Sequence, residues 1–375
     1  MKQPDLHIVI SGGGTGGHLF PALAIAEALK KLEPSVKILF VGALGKIEME
    51  KVPAAGYVIE GLDIMGLQRS FTLQNLRFPI RLIKSLLRSK AIIKQFKPDA
   101  AVGVGGYASG PLLFMAELKG IPCLIQEQNS YPGITNKILA SRAAKICVAY
   151  PGMERFFPSE KLILTGNPVR KSIVDLHISR IQALKTLGLD PNKPVLLVLG
   201  GSLGARTLNE SIFSGIEKLR DEGIQLIWQA GKRYYADLKT RIGLSAAGVQ
   251  LTEFINNMDE AYAAADVIIS RAGAATISEL AWAAKPVILV PSPNVAEDHQ
   301  TRNAQALVSA KAAIMVTDSQ APAKLVQAAI ELIWDNNLQQ ELKKNIREHA
   351  YPEAAAKIAG EIIRLAGIHK NKQWI

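Results

Sequence analysis

Residues 6–18 read Leu-His-Ile-Val-Ile-Ser-Gly-Gly-Gly-Thr-Gly-Gly-His, and an alanine- and leucine-rich segment starts near Pro21. This order predicts a buried strand, a glycine turn and a helix. Five glycines in six positions leave no side chain to hold a ligand away from the backbone. The amide groups of such a turn lie at a helix N-terminus, where the partial positive charge favours anions. The stretch therefore predicts a site for phosphate or for developing negative charge, with His18 next to it.

The unit of strand, glycine loop and helix recurs, which predicts an α/β fold with two Rossmann-like domains. Strand 195–199 enters a second glycine loop at 200–204, and a third glycine segment at 103–110 follows another strand of the first half. Alternating strands and helices are typical of parallel sheets covered on both faces. Because ligands of open α/β sheets bind outside the carboxyl ends of the strands, we expect the three loops to face a central cleft.

The length of 375 residues and a hydrophobic content of 48% suit two buried cores. The predicted strands are 6–10, 37–41, 100–104, 122–126, 145–149, 195–199, 224–229, 249–251, 266–269, 286–290 and 313–316. The predicted helices include 21–32, 207–220, 274–283 and 300–310. A domain break is predicted at Gly166-Asn167-Pro168-Val169-Arg170, which separates a first domain, 1–169, from a second that begins at residue 170.

The cysteine count and the apolar segments limit the class of protein. Cys123 and Cys147 are too few for a disulfide scaffold and suit a reducing cytosol. The apolar start ends at Ile10, so we interpret it as a strand and not as a signal peptide, and no early run reaches spanning length. We therefore expect a soluble or peripheral protein.

The basic charge is concentrated in the first half of the chain, where residues 1–170 have a net charge of +9 out of the total of +11. Within it, residues 64–98 hold no acidic side chain. The basic positions there are Arg69, Arg77, Arg81, Lys84, Arg88, Lys90, Lys94 and Lys97. Apolar residues recur at helical spacing in the same stretch, namely Leu76, Ile80, Ile83 and Leu87, beside Phe71, Leu73 and Phe78.

A basic amphipathic helix of this kind favours an anionic membrane surface as the partner of residues 64–98. The alternative is an ordinary domain helix with a solvated basic face. Nucleic acid is disfavoured, because no recognition motif or aromatic stacking pattern accompanies the charge.

The glycine turn does not fit the common nucleotide motifs. The spacing of Gly12, Gly14 and Gly17 matches the dinucleotide fingerprint, but no acidic residue follows the second strand, which disfavours a nicotinamide cofactor. His18 stands where a P-loop has lysine, which disfavours a nucleoside triphosphatase. The six histidines lack metal-ligand spacing and no nucleophile elbow is present, so we expect no metal and no cofactor. His18 itself is a candidate general base, or a residue that orients the turn.

Further polar clusters follow predicted strands. The amides of Gln126–Asn129 suit sugar hydroxyls, although an ordinary turn would explain them as well. The segment Arg271–Glu279 could hold a diphosphate at a helix start and a ribose at Glu279, or simply place an acid near a helix dipole. Glu297–Gln300 could meet a sugar ring or be a solvated loop. Arg170 could pair with a phosphate or with a surface acid.

Taken together, these motifs resemble the MurG family, the N-acetylglucosaminyltransferases that convert lipid I to lipid II in bacterial peptidoglycan synthesis. The resemblance rests on the ordered motifs at 13–21, 105–111, 127–129, 166–170 and 201–205 and on Glu279, and it spans nearly the whole chain. Two positions depart from the family pattern. Gln126 stands where histidine is expected, and Ala272 stands where serine is common.

The resemblance implies a GT-B fold in which a C-terminal helix of about 351–375 returns to the first domain. The first domain then serves the acceptor and the membrane, and a second domain of 170–350 binds UDP-N-acetylglucosamine. The implied substrate-binding residues are Thr15, Gly16, Gly17, Asn129, Arg170, Ser202, Ile255, Ala274, Ala275, Thr276, Glu279 and Gln300, and the implied catalytic residue is His18.

The expected reaction is the inverting transfer of N-acetylglucosamine from UDP to the muramyl 4-hydroxyl of lipid I, an acceptor linked to undecaprenyl diphosphate. The resemblance implies a peripheral location on the cytoplasmic side of the inner membrane and roles in cell wall synthesis, cell shape and cell division. The alternatives are a UDP-N-acetylglucosamine 2-epimerase, another GT-B transferase that uses a UDP-sugar, or a membrane-bound sensor of nucleotide sugars.

Overall fold

The computed structural model describes residues 5–65, 78–169, 178–201, 203–243, 247–295 and 298–372. The chain forms two compact units. The first unit comprises Met1–Arg170 and Tyr351–Ile375, and the second comprises Lys171–Ala350. Each unit has a parallel sheet, which confirms the predicted α/β class. The assignment of an acceptor to one unit and a donor to the other stays a prediction.

The first unit is built on a seven-stranded parallel sheet in the order β3-β2-β1-β4-β5-β6-β7. Its strands are β1 (His7–Ser11), β2 (Lys37–Ala43), β3 (Val58–Leu62), β4 (Ala100–Gly103), β5 (Cys123–Glu127), β6 (Lys145–Val148) and β7 (Leu162–Leu164). Five of them were predicted. β3 and β7, the two edge strands, were not predicted from the sequence; both are short and partly exposed.

Six helices of the first unit are described. They are α1 (Gly16–Leu32), α2 (Glu48–Ala54), α3 (Phe78–Phe96), α4 (Ser109–Leu118), α5 (Ile134–Leu139) and, from the C-terminal end of the chain, α15 (Ala354–Lys372). α15 packs against α1, where Ile358 and Ile362 join a core cluster with Ile8 and Ile25. The apolar side chains of α15 thus complete the core of the first unit.

The second unit has a six-stranded parallel sheet in the order β10-β9-β8-β11-β12-β13. Its strands are β8 (Val195–Leu199), β9 (Gln225–Gln229), β10 (Val249–Thr252), β11 (Val267–Ser270), β12 (Val287–Leu289) and β13 (Ile314–Met315). Its helices are α6 (Arg180–Thr186), α7 (Arg206–Ser214), α8 (Ile216–Asp221), α9 (Tyr235–Ile242), α10 (Met258–Ala264), α11 (Ala274–Ala283), α12 (His299–Ser309), α13 (Ala321–Trp334) and α14 (Asn336–Arg347).

The helix predicted over 207–220 is interrupted at Gly215, which separates α7 from α8. A Cβ atom at this position would lie only 2.5 Å from a methyl carbon of Val326 on α13. A side chain there would push α13 away from α7, so tertiary packing and not the apolar pattern decides this break.

Among the described residues, no helix combines the length and the apolarity that crossing a bilayer requires. α3 is amphipathic instead.

Candidate functional site

The first glycine turn joins β1 to α1, and a carboxylate lies directly behind it. Glu48, at the start of α2, is 1% exposed and accepts hydrogen bonds from the amides of Gly14 (2.8 Å) and Ala43 (3.0 Å). A Cβ atom at Gly13 would lie 2.3 Å from the carboxyl carbon, and one at Gly42 would lie 2.5 Å from Cγ. Both glycines therefore make room for the Glu48 side chain.

This contact changes the interpretation of the turn. The amide of Gly14 points to Glu48 and is not available to a ligand, so the expectation that the whole turn presents bare amides is wrong at this position. The first amides of α1, at Gly16 and Gly17, precede the first bond of the regular helical pattern. They remain the candidates for holding an anion.

The third glycine segment packs against the first turn. Gly105 and Gly106 have φ angles of +91° and +88°, a conformation that glycine adopts without steric strain. A Cβ atom at Gly106 would lie 2.5 Å from the carbonyl oxygen of Gly13, and one at Gly105 would lie 2.7 Å from Nδ1 of His18. The two loops and the imidazole therefore form one close-packed group at the carboxyl edge of the first sheet.

His18 contacts a buried amide that follows β5. Its Nδ1 lies 3.0 Å from Oε1 of Gln128, and Nε2 of Gln128 donates to the carbonyl of Val104 at 2.7 Å. Gln128 is 1% exposed. From the sequence, this glutamine was grouped with the amides of Gln126–Asn129 that suit sugar hydroxyls, and no link to His18 was predicted. The signal that could have found it is a buried amide directly after a central strand.

Gln126, which stands where the family has histidine, supports the same group. Its Nε2 donates to Oδ1 of Asn167 at 2.9 Å, and Nδ2 of Asn167 donates to the main-chain carbonyl of Gln128 at 3.0 Å. All three side chains are at most 3% exposed. The departure at position 126 is thus accommodated by an amide network.

The loop that carries Asn129 is organised by Glu127. The buried carboxylate accepts from the main-chain amide of Asn129 (3.0 Å) and from that of Gly133 (3.1 Å), and also from Nδ2 of Asn136 (2.7 Å). Nδ2 of Asn129 lies 3.2 Å from the same carboxylate. Asn129 is therefore placed near Gln128 and His18 at one sheet edge by bonds that Glu127 accepts.

Helix α3 carries the described part of the basic stretch. Its buried residues are Ser85, Ser89, Ile92 and Ile93, whereas Ile80, Ile83 and Leu87 are 58–62% exposed. The stripe of Ile80, Ile83 and Leu87 thus faces away from the core, while the C-terminal half of the helix buries Ile92 and Ile93. Arg69, Arg77 and the aromatic Phe71 lie outside the described residues.

In the second unit, the second glycine loop is tied to the end of β9. The amide of Gly200 donates to the carbonyl of Gln229 at 3.1 Å, and a Cβ atom at Gly231 would lie 2.1 Å from the amide nitrogen of Gly204. Such a close backbone approach requires glycine at position 231, where φ is +83°. Ser202, the residue of this loop that is predicted to bind the substrate, lies outside the described residues.

Ile255 is positioned by the same strand end. Its amide donates to Oε1 of Gln229 at 3.0 Å, and Gln229 is 5% exposed. The predicted contact of the Ile255 backbone with a uracil would therefore use the carbonyl of Ile255. If it used the amide instead, the hydrogen bond from that amide to Gln229 would have to break. Phe254 beside it is 46% exposed.

Helix α11 begins with Ala274, Ala275 and Thr276 after Gly273, whose extended backbone caps the helix. Glu279 follows in the next turn and is 8% exposed, and its Oε2 accepts from the hydroxyl of the fully buried Tyr262 at 3.2 Å. A helix N-terminus with a held carboxylate one turn later can bind an anion and accept bonds from hydroxyl groups.

An ion pair holds the loops at this edge of the second sheet. Arg271 contacts Asp318 at 2.5 Å and donates to the carbonyl of Val290 at 3.0 Å, and Asp318 also accepts from the hydroxyl of Thr207 at 2.8 Å. The ends of β11 and β12 and the start of α7 are thereby linked. Arg271 consequently has a structural partner.

Gln300, the predicted sugar contact, lies near the start of α12, where its Oε1 accepts from the amide of Ser292 at 2.9 Å. Within each unit, the structure therefore brings predicted residues together at the carboxyl edge of the sheet. Arg170 and Glu297 lie outside the described residues. No group of histidine, cysteine and acidic side chains suited to a metal ion is found within the described ranges.

Comparison with known proteins identifies the family of the chain. The N-terminal domain of glycosyltransferase family 28 matches residues 8–148, and the C-terminal domain of that family matches residues 195–358. The UDP-N-acetylglucosamine--N-acetylmuramyl-(pentapeptide) pyrophosphoryl-undecaprenol N-acetylglucosamine transferase of Phocaeicola vulgatus is 52% identical over 374 residues, which cover 99% of each chain.

Solved structures agree with this similarity. The crystal structure of MurG from Acinetobacter baumannii has a TM-score of 0.77 and 30% identity, and the match covers 96% of this chain and 100% of that one. A UDP-N-acetylglucosamine 2-epimerase has a TM-score of 0.66 at 16% identity, with 98% of this chain and 97% of that one covered, which shows a shared fold alone. The predicted GT-B fold is confirmed, and the chain belongs to glycosyltransferase family 28 and, within it, to the MurG family of N-acetylglucosamine transferases.

Proposed function

We propose that this enzyme transfers N-acetylglucosamine from UDP-N-acetylglucosamine to lipid I, which yields lipid II for peptidoglycan synthesis. The observation that carries the proposal beyond family membership is the group formed by His18, Gln128 and the two glycine segments at the carboxyl edge of the first sheet. This group offers a proton acceptor beside helix amides that suit an anion.

The donor is assigned to the second unit. The start of α11, at Ala274, Ala275 and Thr276, would hold the diphosphate on its amides, and Ser202 in the second glycine loop would add a hydroxyl. Glu279 would accept bonds from the ribose. Ile255 would present its backbone to the uracil, and Gln300 would contact the sugar. No step of this scheme draws on a metal or a cofactor.

Other proposed donor contacts come from the first unit and from the linker. They are Thr15, Gly16 and Gly17, which would reach the donor sugar, together with Asn129 and Arg170. Arg170 could neutralise charge on the departing diphosphate, because a guanidinium matches phosphate oxygens in geometry as well as in charge.

The transfer is proposed to invert the anomeric carbon. The muramyl 4-hydroxyl oxygen attacks this carbon from the face opposite UDP, and the new C–O bond forms as the bond to the β-phosphate oxygen breaks. The electron pair leaves on UDP, and the hydroxyl proton passes to His18 as the general base. Helix amides stabilise the charge that develops on the diphosphate.

The first unit is proposed to bind the acceptor at a membrane surface. The exposed stripe of Ile80, Ile83 and Leu87 could enter the interfacial region of a bilayer while the basic side chains of α3 meet anionic headgroups. This would place the enzyme as a peripheral protein on the cytoplasmic face of the inner membrane. Its product would serve cell wall synthesis and hence cell shape and division.

Incubation with labelled UDP-N-acetylglucosamine and a soluble lipid I analogue tests the proposal. We expect a lipid-linked disaccharide and stoichiometric UDP. Conversion of the donor to a 2-epimer without acceptor would establish the epimerase alternative instead. Binding of donor with no product of either kind would favour a nucleotide-sugar sensor. Replacement of His18 by alanine should abolish most turnover, and turnover within a few-fold of the wild type would contradict its role as base.

A further inference from the structure

We infer that Gln128 is a positioning residue that holds His18 as the Nδ1–H tautomer, so that Nε2 is the nitrogen able to accept a proton. The inference deepens the proposed function and rests on it only where it calls His18 the base. The assignment of the tautomer follows from the hydrogen bonds of the amide alone.

The orientation of the Gln128 amide is fixed by its acceptors. One terminal atom lies 2.7 Å from the carbonyl oxygen of Val104 and 3.3 Å from that of Gln126. Carbonyl oxygens only accept hydrogen bonds, so this atom must be the amide nitrogen. The other terminal atom, 3.0 Å from Nδ1 of His18, is then the oxygen.

The oxygen of an amide carries no hydrogen and can only accept. A bond between Oε1 of Gln128 and Nδ1 of His18 therefore requires a proton on Nδ1. A neutral imidazole carries one proton, so Nε2 holds the lone pair. When the ring takes a second proton, Nδ1 still donates to Gln128. The contact thus persists through the proposed proton transfer without rearrangement.

The amide is itself held in place. Oε1 of Gln126 also accepts from Nε2 of Gln128, and Gln126 is fixed in turn by Asn167. Asn167 in turn donates a hydrogen bond to the main-chain carbonyl of Gln128. None of the three side chains is more than 3% exposed. Rotating the Gln128 amide would place its oxygen against the Val104 carbonyl and break this buried network.

Gly105 also lies close to the imidazole, since a Cβ atom there would lie 2.7 Å from Nδ1 and 2.8 Å from Cε1. The ring is therefore set both by a hydrogen bond and by packing. A catalytic group that is held in one orientation and one tautomer needs no reorganisation when substrate binds.

The first experiment observes the tautomer in the full-length wild-type enzyme. Long-range correlations between ring protons and nitrogens in protein labelled with 15N-histidine distinguish the two neutral tautomers, and His18→Gln assigns the signals of His18. We expect the Nδ1–H pattern. The Nε2–H pattern, or an even mixture, would overturn the inference without any measurement of activity.

The second experiment separates positioning from folding. Gln128→Met keeps the length of the side chain but removes the acceptor, and we expect a mixed tautomer and a kcat about 10- to 100-fold lower at unchanged donor KM. In Gln128→Glu, burial among carbonyl oxygens favours the neutral acid, whose hydroxyl donates to Val104 while the other oxygen accepts from Nδ1. This variant should therefore retain the Nδ1–H pattern and recover most of kcat. The matched control is Gln339→Met, which removes an equally buried amide in the second unit.

Unchanged tautomer signals in Gln128→Met would contradict the positioning role even if activity fell. A changed tautomer with wild-type kcat would leave Gln128 as the residue that sets the tautomer but would remove His18 as the base. Failure of the proposed function is thereby distinguished from failure of the inference.

Discussion

At the scale of single residues, Glu48 determines the shape of the first glycine turn. Its carboxylate accepts from the amide of Gly14 in the turn and from that of Ala43 at the end of β2, and Gly13 and Gly42 lack side chains where it lies. Sequence patterns did not reveal this role, because Glu48 is 34 positions from Gly14 and looks like an ordinary acid at a helix start. The contact exists only once β1 and β2 are adjacent.

Replacing Glu48 by glutamine should disturb the turn. One of the two accepting oxygens becomes an NH2 group that faces a main-chain amide, so a buried donor loses its acceptor. We expect the free energy of unfolding to fall by about 1–3 kcal/mol and the KM for the lipid I analogue to rise. Urea unfolding and steady-state kinetics would measure both.

The control is Glu50→Gln on the same helix, whose carboxylate is exposed and lies 3.8 Å from Lys51. It should leave stability and KM unchanged. If both replacements lowered stability and raised KM equally, any glutamine on α2 would have this effect. The specific role of Glu48 would then be contradicted.

A second residue predicts a pH dependence of stability. Both carboxylate oxygens of Glu117, on α4, are buried without a hydrogen-bond partner in the described part of the chain. Burial raises the pKa of this carboxyl to about 7, against the opposing influence of Arg142 and Lys161. Between the unfolded pKa of about 4.5 and the folded pKa of about 7, the folded state binds more protons than the unfolded state.

The contribution of protonated Glu117 to the free energy of unfolding is therefore complete below about pH 4.5 and is lost as the pH rises through about 7. Glu117→Gln does not titrate, so it should be more stable than the wild type at pH 8 by about 1–2 kcal/mol, a value reduced because the residue as a whole is only half-buried. The difference should shrink towards pH 5. Unfolding at both pH values tests this, with exposed Glu154→Gln as the control, and an equal difference at both would contradict it.

At the scale of elements, the central strands were predicted better than the two edge strands of the first sheet and the helix break at Gly215. The central strands β1, β4, β8 and β11 are mostly apolar runs of four or five residues, so their positions were found. β3 is an edge strand of mixed polarity, and β7 is an edge strand of only three residues. The break at Gly215 depends on Val326 of another helix. A contact with a distant element leaves no local signal.

Helix α3 carries the membrane prediction. Replacing both Ile83 and Leu87 by glutamine removes two exposed apolar side chains from the stripe without touching the buried Ile92 and Ile93. We expect binding to vesicles that contain anionic lipid to fall about 10-fold or more, because each buried apolar side chain contributes about 1 kcal/mol or more to interfacial binding. Vesicle sedimentation would measure the loss.

The matched control is Ile181→Gln in the second unit, where the isoleucine is 72% exposed. Binding should remain at the wild-type level. Vesicles of neutral lipid should bind the wild type more weakly, since the basic side chains of α3 lose their anionic partners. Equal binding to both kinds of vesicle would refute the electrostatic part of the prediction.

At the scale of the whole molecule, two units of similar construction have different residues at their glycine loops. The first loop has a buried carboxylate behind it, Glu48, whereas the corresponding loop of the second unit is held by main-chain contacts with Gln229 and Gly231. Glu48 takes up the amide of Gly14, which is therefore not available to a phosphate. This difference favours the second unit for the nucleotide diphosphate, as the resemblance to the MurG family implied.

This asymmetry predicts where UDP alone will act. UDP should slow amide hydrogen exchange at the second glycine loop, at Ile255 and at the start of α11, while the turn between β1 and α1 should exchange at its unliganded rate. At a UDP concentration 100 times its Kd, binding should add about 2.7 kcal/mol to the stability of the unit that binds it. Glu279→Ala should weaken this protection, since the ribose loses its acceptor, whereas exposed Glu222→Ala in the same unit should not. Protection of the first glycine turn by UDP would show that Glu48 does not exclude the diphosphate, and the assignment of donor and acceptor to the two units would have to be reversed.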